Sequence, residues 1–191
     1  MPRLIDPEAR RREIAEATWR LVHREGLDAV SVRNVAREAG LSTGSLRHVF
    51  GSQAELVGFA MSALGERLAQ RVAALAPAAT PLDAVADVLE QLLPLDAERR
   101  REAEVWLAFV ARARVDPELQ PHLELTDGAL RAVVHESLAP LDPPDAELAA
   151  EELYALVDGL TLHAVLLPGR PSRETMRKIV RGHLERLAAR R

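Results

Sequence analysis

The chain has 191 residues, room for one ordinary domain or a small module joined to a larger one. With 25 basic against 29 acidic residues it is no bulk polycation, so any nucleic-acid contact must come from a local patch. Cysteine is absent, which excludes disulfides, thiolate metal sites and a cysteine nucleophile, and aromatics are only 3%, so the core must be built from Leu, Val and Ala.

The apolar pattern has the helical period throughout, and no alternating β-branched run competes with it. The expected fold is all-α, with about nine helices. Asp6-Pro7 reads as a cap with proline in the first turn, opening a helix to Gly26 with Ile14, Ala17 and Leu21 on one face. Ser31 caps a short helix carrying Val32, Val35, Ala36 and Ala39, and Gly40 ends it. Ser42 caps a third helix with Leu46 and Phe50 facing inward. Ser52-Gln53-Ala54-Glu55 is a capping box that opens a long fourth helix to about Leu75. Further helices are expected over 81–93, 97–115, from Asp116-Pro117 to before Pro140, and over 145–167. Pro168-Gly169-Arg170-Pro171 breaks the chain before a last helix capped by Ser172. The charged run from Asp96 to Glu104 reads as a solvated helix start.

Two short helices around Ala39-Gly40-Leu41-Ser42 make a helix-turn-helix. The second presents Ser42, Thr43, Gly44, Ser45, Arg47 and His48 opposite its two anchors. Small residues and donors there suit a helix laid in a major groove of double-stranded DNA. Arg33 and Arg37 add positive charge nearby. Residues 1–55 hold nine arginines and eight acids, an excess too small to imply DNA binding by itself.

The segment from Ser31 to Leu56, with its Ala-Gly-Leu-Ser turn, Leu-x-x-x-Phe anchors and Ser-x-x-Glu cap, resembles the TetR family of bacterial repressors. The resemblance covers about residues 10–60, and the remainder is similar in plan. Arg47 stands where the family usually has Tyr, Val49 where it often has an aromatic or His, and Gln53 where it often has a phosphate-contacting Lys. Gln53 still donates a neutral hydrogen bond, and Arg47 adds a charge. The resemblance implies a DNA-binding domain over residues 1–54 and an effector-binding and dimerisation domain over 55–191. It implies a homodimer, a repressor released from a palindromic operator by a small-molecule effector; with no secretory signal before the first charges and no run of 18 apolar residues, a cytoplasmic protein is the expectation.

In the larger part, the eighth helix is apolar on more than one face. One face should meet its own domain and the other a second copy, so Val157, Leu160, Val165, Leu184 and Leu187 are the expected dimer contacts. Gly159, costly inside a helix, suggests close approach of another helix. Asp158-Gly159-Leu160 also resembles the BetI-like subset of the family. For the effector, Phe59, Trp106, Phe109, Tyr154, Asp158 and His163 are the candidates, each with an ordinary core or interface alternative. The six histidines form no HxxxH or HExxH pair, and no nucleophile elbow, phosphate loop or dinucleotide glycine pattern occurs. The expectation is therefore no enzyme, no metal, no cofactor and no membrane-spanning segment. The rival functions are an architectural DNA-binding dimer without effector, and a helical protein-interaction dimer that has lost its operator.

Overall fold

Side-chain caps set most of the helix starts. The computed structural model describes residues 7–167 and 169–189. Among them the regular structure is nine α-helices and one 3-10 turn. α1 spans Pro7–Glu25; its expected cap, Asp6, lies outside the described residues, as does Pro168. α2 (Val32–Glu38) begins where Ser31 Oγ accepts from Asn34 N at 3.2 Å, and α3 (Thr43–Arg47) where Ser42 Oγ accepts from Ser45 N at 3.1 Å. α4 (Gln53–Ala73) opens on its capping box: Glu55 N donates to Ser52 Oγ at 3.1 Å, and Gly51 N donates to Glu55 Oε2 at 2.7 Å. α5 (Pro81–Leu92), α6 (Ala97–Ala113), α7 (Gln120–Ser137), α8 (Ala146–Leu166) and α9 (Arg173–Ala188) follow, with Thr80, Asp145 and Ser172 capping α5, α8 and α9.

Two local features depart from the periodicity reading. A 3-10 turn, Leu27–Ala29, follows Gly26 at φ 82°. α7 starts at Gln120 instead of Asp116, because Asp116 first closes a turn on itself. Its Oδ1 accepts from Glu118 N at 3.2 Å and its carbonyl from Leu119 N at 3.1 Å.

The chain divides into two compact units, and the division does not follow the sequence in order. The first holds residues up to Gly65 together with Glu104–Thr126; the second holds Glu66–Ala103 and Asp127 onward. In the first, Ile14, Leu21, Val35, Leu46, Phe50 and Leu56 share one core with Val105, Phe109, Ala113 and Leu119. In the second, Val85, Leu89 and Leu93 pack with Leu153, Val157 and Leu160 and with Met176, Val180 and Leu184.

The charged run from Asp96 is largely a fastening surface in the second unit, not a solvated helix start. Arg99 Nη1 donates to the Glu90 carbonyl at 2.7 Å. Arg100 donates to the carbonyls of Ala164 at 2.7 Å and Val165 at 3.1 Å, satisfying acceptors in the last turn of α8 that the helix leaves open. Glu102 pairs with Arg71 at 2.9 Å and with Arg67 at 3.3 Å. The first turns of α6 are thereby tied to α5, α8 and α4 at once.

Candidate nucleic-acid interface and effector site

α2 and α3 are joined by a turn that only a residue without a side-chain penalty fits easily. Gly40 sits at φ 67°, and Leu41 N donates back to the Ala36 carbonyl at 2.8 Å. That turn directs Leu46 and Phe50 inward, at 1% and 6% exposure. Ser42, Gly44, Ser45, Arg47 and His48 are exposed on the other side, with Thr43 half-buried at the helix start. Ser42 spends its hydroxyl oxygen on the cap and keeps a hydroxyl proton to donate. Arg33 is exposed on α2, and Gln53 is exposed in the first turn of α4. One surface of the first unit thus carries a short helix with small residues at its start and a guanidinium and imidazole at its end.

Contacts among the neighbouring helices frame α3. Glu38 on α2 accepts from Arg20 Nε at 3.0 Å and Arg24 Nη2 at 2.9 Å, both on α1, and the two guanidiniums hold its carboxyl below the usual range. Trp19 Nε1 donates to the Ala60 carbonyl at 3.0 Å, joining α1 to α4. Phe50 meets Phe59 of α4 with ring centroids 5.1 Å apart, and the Arg11 guanidinium lies 4.8 Å from the Phe59 centroid.

Phe59 therefore packs against the turn that follows α3. Trp106 and Phe109 stack at 5.9 Å in the same first core, where Phe109 is fully buried. The other effector candidates lie in the second unit. Tyr154 is buried, and its hydroxyl donates to Asp127 Oδ1 at 2.8 Å. Arg131 lies with its guanidinium 4.5 Å from the Tyr154 ring centroid, donates to Asp127 Oδ2 at 2.8 Å and pairs with Glu151. Burial, reinforced by the bond to Asp127, keeps the Tyr154 phenol protonated far above its ordinary range. Asp158, one turn further along α8, is exposed, and partial desolvation and then the charge of Asp127 raise the pKa of its carboxyl. An open cavity of about 350 Å³ adjoins this cluster, lined by Arg131, His135, Glu136, Glu147, Glu151 and Tyr154 among others. His163 is exposed, and at about 100° per residue its nine-residue separation puts it across α8 from Tyr154. Asp127, Arg131 and Glu151 are not among the residues expected from the sequence. Asp127 and Arg131 were visible as an i,i+4 ion pair; their partner on α8 was not.

Four of the five expected dimer contacts are covered within the chain itself. Val157, Leu160, Leu184 and Leu187 are 7% exposed or less and fill the second unit's own core, so they offer no surface to another chain. Val165 is half-buried. The apolar side chains that α8 leaves exposed are Leu148, Leu162 and Leu166, at 54%, 41% and 64%, with Ala155 and Gly159 between them. A Cβ built on Gly159 meets nothing within 4 Å.

Comparison with known proteins agrees with the geometry. Residues 14–58 match the family of bacterial regulatory proteins of the tetR type, and residues 81–189 match the C-terminal domain of BetI-type transcriptional repressors. The chain is 41% identical over 190 residues to the HTH-type transcriptional regulator PksA of Bacillus subtilis, covering 97% of this chain and 93% of the relative. Among solved structures it resembles a transcriptional regulator from Rhodococcus sp. Rha1, with TM-score 0.82, 32% identity, and 94% and 96% of the two chains covered. It also resembles the multidrug binding protein EbrR complexed with ethidium, with TM-score 0.67, 26% identity, and 91% and 98% covered. These relatives are regulators and binding proteins, not enzymes, and no helix among the described residues is long and apolar enough to cross a membrane. The helix-turn-helix at residues 31–50, the two domain matches and the similarity along nearly the whole chain agree: the protein belongs to the TetR family and is a DNA-binding transcriptional regulator with a C-terminal ligand-binding domain.

Proposed function

We propose that the protein is a cytoplasmic, homodimeric repressor that leaves a palindromic operator when a small molecule binds its second unit. The observation that carries the DNA half is α3: two buried anchors, with Ser42, Gly44, Ser45, Arg47 and His48 turned outward. On this reading Arg47 and His48 reach base edges or phosphate, Thr43, Gly44 and Ser45 allow close approach, and Arg33 and Gln53 contact the backbone. Two copies would place their recognition helices in successive major grooves, about 34–36 Å apart or a multiple of that. Arg47→Ala should weaken binding to a selected operator by about 1–3 kcal/mol if Arg47 reads a base, with helicity and dimerisation unchanged. Equal affinity of mutant and wild type in a fluorescence-anisotropy titration removes Arg47 from the interface.

The effector reading centres on Tyr154 and Asp158. Phe59, Trp106 and Phe109 have structural partners in the first core, and His163 stands across α8. Two acidic side chains, Asp158 and Asp127, with the Tyr154 ring on the same stretch suit a mainly apolar molecule with a basic nitrogen, whose charge would relieve their mutual repulsion. Ethidium, held by the structural neighbour, is likewise a mainly apolar aromatic molecule with a positive charge, fixed there on a quaternary ring nitrogen. Coupling is reciprocal, so a true effector must bind more weakly when operator is present. A thermal-shift screen followed by titration with and without operator identifies it. Release that is insensitive to Asp158→Asn means that the pocket lies elsewhere.

A further inference from the structure

Gly58 lies in the interior of α4, where glycine is the least favourable residue except proline. It is buried, and its φ is ordinary, so the backbone does not demand it. The reason is steric: a Cβ built there would overlap Cγ, Nδ1 and Cε1 of His122. The imidazole of His122, in the first turn of α7, rests directly on the bare backbone of α4.

That seat is next to the machinery that aims the recognition helix. Phe59 follows Gly58 in the chain and packs on Phe50 in the turn after α3. Gln53 and the capping box stand little more than one turn before it. A displacement of α4 at Gly58 therefore moves the Phe59–Phe50 contact. α7 in turn carries Asp127, five residues after His122 and about 7–8 Å along the same helix. Asp127 is the residue that accepts from Tyr154 and from Arg131.

We infer that His122 is a positioning residue for DNA binding, and that α7 makes its seat on Gly58 answer to what happens at Asp127. The second half rests on the reading of Tyr154 and Asp158 as the effector site. A ligand that takes over the Tyr154–Asp127 bond shifts α7, the imidazole leaves Gly58, and the Phe59–Phe50 contact after α3 loosens. On this reading α7 has two positions, one with the His122 ring seated on Gly58 and one with it displaced.

The test uses the full-length protein and a duplex that it selects from a random pool, without ligand. Gly58→Ala evicts the ring and His122→Ala removes it. Each should weaken operator binding about fivefold to tenfold, at a temperature where circular dichroism shows the variants folded and sedimentation shows an unchanged oligomer. The double variant should be no weaker than the worse single one, because both remove the same contact. Asp127→Asn should weaken binding about threefold in the wild-type background and have no effect in Gly58→Ala. Affinities within twofold of wild type for both single variants overturn the positioning role. An Asp127→Asn effect of equal size in the two backgrounds overturns the path along α7. Failure of the effector reading shows separately, as inducer release that ignores Asp158→Asn, because the DNA measurements involve no ligand.

Discussion

Leu162→Glu should turn the protein into monomers at micromolar concentration and abolish tight operator binding. The second unit fills its own core with Val157, Leu160, Leu184 and Leu187, and leaves Leu148, Leu162 and Leu166 exposed along α8. Between them lie Ala155 and Gly159, small enough to admit another helix backbone, and the space above Gly159 is open. In an isologous contact one substitution enters twice, so two unpaired carboxylates would be buried for each dimer. Even several kcal/mol lost in total raises the dimer dissociation constant by about hundredfold or more. A monomer presents one recognition helix to a two-half-site operator and loses the second half-site. Leu184→Ala is the contrasting variant: it should cost about 2–5 kcal/mol of folding stability and leave the folded fraction dimeric. Sedimentation equilibrium decides between them. A Leu162→Glu protein that remains a dimer at micromolar concentration moves the interface off this face of α8.

Phe109→Ala should destabilise the protein by about 3–5 kcal/mol, the usual cost of truncating a fully buried aromatic ring. Phe109 is among the largest fully buried side chains and stacks on Trp106. Its core holds Leu46 and Phe50, the anchors of α3, together with Leu21 and Leu56. Denaturant melts followed by circular dichroism measure the loss, and operator affinity should fall along with it, since α3 is anchored in the same core. Had Phe109 lined an open effector pocket, truncation would cost little stability and act mainly on ligand affinity. A loss below about 1 kcal/mol would restore that pocket role.

The helices and the helix-turn-helix were legible in the chain because their determinants are local. Ser31, Ser42, Thr80, Asp145 and Ser172 each cap the helix that they precede. Gly40 occupies a left-handed turn, and Leu46 and Phe50 repeat at i,i+4. A cap, a turn and an amphipathic stripe act over a few residues and leave their marks in order along the sequence. Partners distant in the chain left no such mark. Helical periodicity separates apolar from polar faces, but it does not say whether an apolar stripe meets its own chain or a second one, so Leu160 and Leu184 read as interface when they are core. The same limit hid the joining of Glu104–Thr126 to the N-terminal helices, and the three helices fastened by Arg99, Arg100 and Glu102. It also hid the meeting of Tyr154 with Asp127, and the imidazole of His122 that accounts for Gly58. The sequence by itself determined which segments are helical and where the helix-turn-helix lies, because hydrogen bonds and caps within a few residues decide these. Only the tertiary structure decided which apolar faces are already covered and which polar side chains share a site, because those depend on contacts between residues far apart in the chain.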